Sequence, residues 1–549
     1  MKEASSTPSR ATYGGEVEVL IIDKFTQVAT PFSQELRERV QQKLTNVLDR
    51  FGLPVLVGYD ATKALVELRG VVYDELPDLL YALQHALFQL WKVLEEDGRQ
   101  CLLASAYHPL DKLQAAYKHI MPRPVYSLVA GSLDGRVHVH PNALAKIYPT
   151  APEKGRNWNH QRTALSTAIQ PWNSLNSRHA AGQLAVLQAT GWLFNLLTAN
   201  SPFADGRWTE KRDYRLETWE AITATSRYKQ DRALTSNLPA KPERLVDYYK
   251  YVFSNQRPAI IPNASANGNP IKDSKTNFLA VKQPDDEHEF NMLTYLQADN
   301  IKVIDLETAK EQDVIPDVTH IFNNFDFFYV PRYGARLRIN LPHADRLDPK
   351  SFAQAIIDSD EDTFQSLLVK GGIEEGYICV EGRVAATVLP RSEKVGWAQF
   401  NIPFVLQTAI IRTYQEIFNL FEHTALTWTD LIETLPAMTN DTRYGFKTEL
   451  KGCHVTDLAH NVWKVAQKSL TSQEYALIGD EIDTLLARQK APAEEQIALF
   501  GKEWDKSTEQ DKSTEKVMPG FIHHLCVESL PEPVNERDLA LCTNYIFTL

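Results

Sequence analysis

Cysteine is scarce in this chain of 549 residues, and the few cysteines are scattered. The five are Cys101, Cys379, Cys453, Cys526 and Cys542, and none forms a CxxC pair. An odd number without close spacing argues against a disulfide framework and favours a reducing compartment. The first residues, MKEASSTPSRATYGG, are polar and lack the apolar run of a secretion signal. We therefore expect a cytoplasmic protein.

Long apolar runs and basic tracts are also missing. The most apolar stretch, Leu184 to Ala199, is interrupted by Gln188, Thr190 and Asn195 and is shorter than the roughly 20 residues that cross a bilayer. We expect a buried helix there and no membrane partner. Seventy acidic residues against 58 basic ones leave a net charge of -12, and no basic tract is interleaved with aromatics. This balance argues against a nucleic-acid partner.

Neither a GxGxxG sequence nor a Walker sequence is found. These glycine-rich loops hold phosphates through backbone N–H groups. A nucleotide bound by this chain would therefore be held through a metal ion and arginine side chains.

Hydrophobic residues make up 43% of the chain and charged residues 23%, which is typical of a globular protein. Strand and helix patterns alternate at the start: a strand over Glu16 to Asp23, a helix that ends at Gly52, a strand from Val55 and a helix over Leu79 to Leu94. The length allows one large α+β domain or two smaller ones.

Further along, residues Asn263 to Asn277 read NASANGNPIKDSKTN, which is the composition of a surface loop or a mobile lid. From Phe404 to Phe421 apolar residues recur at helical intervals, which predicts a core helix. The repeat DKSTE within Asp505 to Lys516 predicts a disordered linker. We expect a flexible terminus over residues 1–12, a main domain over 13–504, the linker over 505–516 and a tail over 517–549 that contributes a terminal strand.

Acidic residues recur at two places near the start. Glu16 and Glu18 lie two apart in a predicted strand, so both carboxylates project from one face and repel each other. Mg²⁺ prefers such oxygens and would turn the repulsion into attraction. Asp60 and Glu67 are seven apart, which requires a bend if they are to share a face of a sheet. Taken alone, the first pair is better explained by an exposed edge strand and the second by ordinary surface charge.

These motifs resemble those of plant-type glutamate-cysteine ligases. Gly14-Gly15-Glu16-Val17-Glu18 resembles their G-x-E-x-E strand, and Asp60 to Glu67 their D-x6-E segment. TALSTAIQPWNSL resembles T-x-Q-x-N with one extra residue in each gap, and TANSPFADGR is close to A-N-S-P-F-x-x-G. Arg215 and Trp219 follow at the spacing R-x3-W. Weaker likenesses, at Tyr117 to Tyr126 and Leu486 to Phe500, extend the resemblance in patches over residues 13 to 505.

The resemblance implies a glutamine synthetase-like α+β fold, in which a curved, mainly antiparallel sheet forms a funnel surrounded by helices. The inner face of that funnel would bind ATP, Mg²⁺ and glutamate. The implied metal ligands are Glu16, Glu18, Asp60, Glu67 and Glu381. The implied nucleotide or substrate contacts are Gln170, Asn173, Asn200 and Arg336, and the implied catalytic arginines are Arg215, Arg338 and Arg383. Asn200 has an equally good interpretation as turn chemistry, because it begins Asn-Ser-Pro.

In this family a glutamate side-chain carboxylate attacks the γ-phosphate of ATP, and an amine displaces phosphate from the acyl phosphate. The resemblance therefore implies small-molecule partners: a glutamate-like acid and the amine of cysteine or of another amino compound.

One departure concerns the family's E-x-R strand, which ordinarily follows an R-Y pair. Arg332 to Arg338 has the arginines without the glutamate, whereas Glu381 and Arg383 have both residue types. We predict that Glu381 and Arg383 take that position and that Arg336 and Arg338 line the same funnel. Two alternatives remain: a related ligase with another amine acceptor, and a non-catalytic homologue that binds nucleotide.

Overall fold

The computed structural model describes residues 11–48, 52–110, 165–218, 236–256, 260–262, 278–282, 290–305, 308–322, 331–390, 396–506 and 514–533. The strands are β1 Tyr13–Asp23, β2 Val55–Tyr59, β3 Leu65–Tyr73, β4 Gln100–Leu102, β5 Ile169–Ser174, β6 Phe203–Ala204, β7 Arg207–Trp208, β8 Ile260–Pro262, β9 Phe278–Val281, β10 Ile301–Asp305, β11 Glu311–Val314, β12 Ala335–Asn340, β13 Tyr377–Gly382, β14 Glu449–Leu450 and β15 Cys453–His454. The helices of six or more residues are Gln34–Leu48, Leu76–Asp97, Ala180–Ala189, Gly191–Thr198, Leu245–Asn255, Met292–Gln297, Pro349–Ile357, Glu361–Lys370, Ala398–Arg412, Tyr414–Glu422, Leu435–Asn440, Val455–Ala466, Gly479–Arg488, Pro492–Lys506 and Thr514–Leu525.

Seven strands form the main sheet, in the order β12-β13-β5-β1-β3-β2, with β4 also paired to β1. Every pairing within this sheet is antiparallel. The sheet stays open, and helices surround it. The predicted class, α+β with a large, mainly antiparallel sheet, is confirmed. A second sheet of four strands has the order β11-β10-β9-β8.

The two faces of the main sheet differ in chemistry because side chains alternate along each strand. On β1, Val17, Val19 and Ile21 point into the apolar core, while Glu16 and Glu18 lie on the other face. The helices Leu76–Asp97, Ala180–Ala189 and Ala398–Arg412 pack against the sheet. Gly15 permits the close approach of the last of these, since a Cβ there would lie 2.6 Å from the ring of Phe404. One face is therefore sealed by helices, and the other carries the polar residues.

Several sequence predictions match the observed elements. Tyr59 ends β2 and Leu65 begins β3, so the chain bends between Asp60 and Glu67 as required. The apolar stretch Leu184 to Ala199 is buried, although it forms two helices that meet at Thr190. The core helix predicted over Phe404 to Phe421 is likewise two helices, and the first begins earlier, at Ala398. No described helix is both long and apolar enough to cross a membrane.

The predictions near the C-terminus are partly wrong. The supposed linker over Asp505 to Lys516 is helical at both ends, because the helices Pro492–Lys506 and Thr514–Leu525 extend into it. The tail begins with the second of these helices, and its described residues, up to 533, contain no strand. Its apolar residues recur at helical spacing, and Met518, Phe521 and Leu525 are fully buried. Residues 507–513, the tail from 534, the predicted loop over 263–277 and the segment over 117–126 lie outside the described residues.

Candidate active site

The polar face of the main sheet collects most of the side chains that the sequence singled out. Strand register places Glu16 opposite Arg69 on one side and Gln170 on the other, and Glu18 opposite Glu67. On the next strands, Trp172 is opposite Glu381, and Glu381 is opposite Arg336. These residues belong to five adjacent strands, so one continuous surface carries them.

An acidic cluster occupies the β1 and β3 side of this face; we define it as Glu16, Glu18, Asp60 and Glu67. Glu16 and Glu18 are buried, at 7% and 9% exposure. Burial, together with the charge of Glu67, raises the pKa of Glu16 to about 8. Burial and the charge of Asp60 raise the pKa of Glu18 well above its usual range. The carboxylates of the acidic cluster are close together and shielded from solvent. Their mutual repulsion therefore favours the binding of a proton or another cation.

Arg69 partly neutralises the acidic cluster. Its Nε donates to Glu16 Oε1 at 2.9 Å, and its Nη2 donates to Glu67 Oε2 at 2.8 Å. Burial raises the pKa of Glu67, and Arg69 opposes that rise. Sequence reasoning missed Arg69, although strand alternation two residues after Glu67 could have placed it on this face.

An arginine cluster lies on the β12 and β13 side; we define it as Arg336, Arg338 and Arg383. All three bind the fully buried Glu381: Arg336 and Arg338 at 3.1 Å each, and Arg383 at 2.7 Å. Burial alone would raise the pKa of Glu381, but the three guanidinium charges lower it to about 2. Three cations thus surround one carboxylate, and this side of the face has an excess of positive charge.

Gln170 joins the two clusters from the strand between them. Its Nε2 donates to Glu18 Oε1 at 2.6 Å, and its Oε1 accepts a hydrogen bond from Arg383. The other carboxylate oxygen of Glu18 accepts the Ala168 N–H at 2.9 Å. The amide therefore orients one acid and one arginine at the boundary between negative and positive charge.

Side chains from non-adjacent strands interact across this face. The charges of Glu381 and Arg338, on β13 and β12, both affect the pKa of Glu16 on β1. Burial raises the pKa of Tyr377 on β13, and the charge of Arg69 on β3 opposes that rise although two strands lie between them. Since Gln170 bonds both Glu18 and Arg383, the two clusters lie side by side on this face.

Two of the expected site residues have their side-chain amides engaged in other hydrogen bonds. Asn173 lies three residues after Gln170, on the opposite face, where its amide bonds Thr408 at 2.9 Å and Gln407 at 2.8 Å. Asn200 accepts the Ala106 N–H at 2.9 Å and donates to the Thr387 carbonyl at 2.8 Å. These contacts give both asparagines a structural role.

Arg215 is buried, at 1% exposure, and pairs with Asp213 at 2.9 Å. It also donates to the carbonyl of Val384, the residue that follows Arg383. The structure therefore ties Arg215 to the backbone beside the arginine cluster. Trp219, its partner in the sequence motif, lies outside the described residues.

A divalent cation fits the acidic cluster in charge and ligand type, because burial and mutual repulsion raise the pKa of Glu16, Glu18 and Glu67 and a cation would relieve that repulsion. The ligands are not preassembled, however. Within the described ranges, no three His, Cys, Asp or Glu side chains form a group that could hold a metal ion. Arg69 bridges Glu16 and Glu67, and Glu18 is bonded to Gln170. Metal binding would require Arg69 to move.

Comparison with known proteins gives one family match. Residues 12–252 match the model of glutamate-cysteine ligase family 2. The resemblance expected from the sequence is therefore confirmed over this region, which contains β1 to β5 and the acidic cluster. No curated protein matches the chain.

Two solved structures are similar over 94% of this chain. One is the glutamate-cysteine ligase of Francisella tularensis in complex with AMP, at 12% identity, a TM-score of 0.43 and 88% coverage of that chain. The other is a bifunctional glutathione synthetase from Pasteurella multocida, at 11% identity and a TM-score of 0.41, of which this chain spans about half, 52%.

Proposed function

We propose that this relative of the glutamate-cysteine ligases is an ATP-dependent ligase that joins the side-chain carboxylate of glutamate, or of a similar acid, to an amine. One observation carries the proposal: a single sheet face holds a buried acidic cluster and a buried arginine cluster, linked by Gln170. Metal-bound phosphate needs both kinds of group, because carboxylates bind the cation and arginines bind the phosphate oxygens.

The acidic cluster would hold Mg²⁺ through Glu16, Glu18, Asp60 and Glu67. When bound, the ion would supply charge neutralisation at the phosphate oxygens. Arg69 is the cation that bridges Glu16 and Glu67. Because its side chain is 41% exposed, it can turn toward solvent without breaking the sheet.

The arginine cluster would bind the anions that react. Arginine presents planar N–H groups that match phosphate and carboxylate oxygens. Glu381 is already ionised and shared among three arginines, so we assign it to orienting the guanidinium groups rather than to proton transfer. This assignment differs from a role as a metal ligand, because both carboxylate oxygens are already paired with arginines.

The reaction would proceed in two steps. A carboxylate oxygen of the acid attacks the γ-phosphorus of ATP, the bond to the β–γ bridging oxygen breaks, and ADP leaves. The amine then attacks the acyl carbon, the C–O bond to phosphate breaks, and the amine loses a proton as the amide forms. Clustered positive charge favours both steps, because negative charge accumulates on phosphate oxygens in each.

The test is ADP release by the purified chain with ATP, Mg²⁺, glutamate and a panel of amines that includes cysteine, with products identified by mass spectrometry. Glu16→Gln should lower the rate at least about tenfold, which is about 1.4 kcal/mol of transition-state binding. Glu422→Gln, an exposed change at the end of the helix Tyr414–Glu422, is the matched control and should leave the rate unchanged.

The same assay also tests the non-catalytic alternative and the metal site. Nucleotide binding without turnover for any acid and amine would favour the non-catalytic alternative. Full activity of Glu16→Gln at saturating Mg²⁺ would remove Glu16 from the proposed metal site.

A further inference from the structure

Trp172 lies on the polar face, on the strand between the acidic cluster and the arginine cluster. It follows Gln170 by two residues and therefore shares its face, whereas Asn173 points to the other side. On neighbouring strands it lies opposite Gly14 and Glu381. A Cβ at Gly14 would lie 3.5 Å from the indole, so the ring is in contact with the β1 backbone there.

The indole ring supports one member of the arginine cluster. The guanidinium carbon of Arg338 lies 4.8 Å from the ring centroid of Trp172, within the range of a cation–π interaction. Arg338 also donates to Glu381 Oε2 at 3.1 Å. The guanidinium is thus fixed from two directions, by a carboxylate at one nitrogen and by an aromatic ring beneath it.

Arg338 is the member of the cluster that is most open to a ligand. Its side chain is 18% exposed, compared with 13% for Arg383 and 8% for Arg336. Glu381 must accept hydrogen bonds from all three arginines, so it constrains each of them only partly. Arg338, the most exposed of the three, is therefore the arginine whose orientation depends most on a second contact.

We propose that Trp172 is a positioning residue: its indole holds the guanidinium of Arg338 in the orientation that binds an anionic group of the substrates. This inference rests on the proposed function, since it assigns the arginine cluster to a substrate phosphate or carboxylate. An ordered guanidinium loses less conformational freedom on binding, so the benefit appears mainly as affinity. The anion is either a phosphate of the nucleotide or a carboxylate of the acid.

The first test compares substitutions at Trp172 by steady-state kinetics. Trp172→Leu removes the ring, and we expect the KM for one anionic substrate to rise about tenfold while kcat changes less than about twofold. Trp172→Phe keeps an aromatic face and should recover most of the affinity. A rise in KM for ATP identifies a phosphate as the anion, and a rise in KM for the acid identifies a carboxylate. Trp208→Leu, at a tryptophan that is 49% exposed on β7, is the control.

The second test is a double-mutant cycle in binding, which does not depend on turnover. Inorganic pyrophosphate and glutamate are the two probes, titrated by calorimetry into the wild type, Trp172→Leu, Arg338→Met and the double variant. If Trp172 acts through Arg338, the two changes are strongly non-additive, and Trp172→Leu has no further effect once Arg338 is gone.

Additive effects, or equal losses in Trp172→Leu and Trp172→Phe, would overturn the proposal. So would a fall in kcat with the affinity of both probes unchanged. If the wild type bound either probe with the expected coupling but released no ADP, the positioning role would stand and the ligase function would fail. Melting temperatures of all variants identify any that do not fold.

Discussion

At the scale of single residues, Glu381 best shows how charge is organised in this protein. A fully buried carboxylate would ordinarily favour its protonated form. Three arginines reverse this preference and bring its pKa down to about 2. Removing the carboxylate would leave three cations facing one another in a place with little water, which is costly because buried charges need partners.

We predict that Glu381→Gln lowers the free energy of unfolding by about 3–5 kcal/mol, as expected when a buried pair loses one partner. Urea denaturation measures this. Pyrophosphate should then stabilise the variant more than the wild type, because an added anion replaces the missing charge. Glu375→Gln, at a side chain that is 69% exposed, should change stability by less than about 0.5 kcal/mol. A loss below about 1 kcal/mol in Glu381→Gln would show that the arginines do not depend on this carboxylate.

At the scale of elements, strand alternation explains which side chains meet. Four polar side chains share a face because their strands pair in register: Glu16, Glu18, Glu67 and Gln170. Asn173 lies on the other face because it is an odd number of residues, three, from Gln170.

The turn at the end of β1 depends on equally specific contacts. At the end of β1, Asp23 accepts the N–H groups of Phe25 at 3.0 Å and Thr26 at 2.8 Å and also pairs with Arg99 at 2.8 Å.

The Asp23 turn has a predictable pH dependence. The hydrogen bond from Arg99, helped by those from the Thr26 and Phe25 N–H groups, lowers the pKa of Asp23 from 3.8 to about 2. A lowered folded-state pKa means that the stabilisation is present above about pH 4 and is lost as the pH falls toward 2. We expect the free energy of unfolding to fall more steeply from pH 5 to 3 in the wild type than in Asp23→Asn, measured by urea denaturation at each pH. Glu374→Gln, at an exposed position, should follow the wild type, and identical slopes in all three proteins would contradict this assignment.

At the scale of the whole molecule, residues from near both ends of the chain pack together. A second apolar cluster joins Leu20 and Ile22 of β1 with Cys101 and Leu103 and with the helix Thr514–Leu525. Phe521 lies at its centre, with ring centroids 4.8 Å from Phe203 and 5.6 Å from Phe500. The helix therefore covers part of the same strand that presents Glu16 and Glu18 to the candidate active site.

Phe521→Ala should lower the free energy of unfolding by about 3–5 kcal/mol, because it leaves a cavity in a packed aromatic group. Phe25→Ala removes the same side chain where it is 81% exposed and should have an effect within about 0.5 kcal/mol. Denaturant unfolding of the two variants makes the comparison. Equal effects would mean that the C-terminal helix contributes little to the stability of the fold.

The sequence alone determined the local features: β1 as a strand, two acids on one of its faces, the bend between Asp60 and Glu67, and the motifs now matched over residues 12–252. It also contained the strand alternation that separates Asn173 from Gln170. The spacing of residues along the chain was enough to predict these local features, because the direction of a side chain on a strand depends only on its position relative to residues close in sequence.

Only the tertiary structure decided how β12 and β13 meet the strands formed more than 150 residues earlier. That pairing places three arginines around Glu381, sets Arg338 over Trp172 and brings both clusters to one face. It also packs the helix Thr514–Leu525 onto the end of β1. Such pairings depend on contacts between distant segments, whose register is set by packing of the whole sheet against its helices rather than by any local pattern.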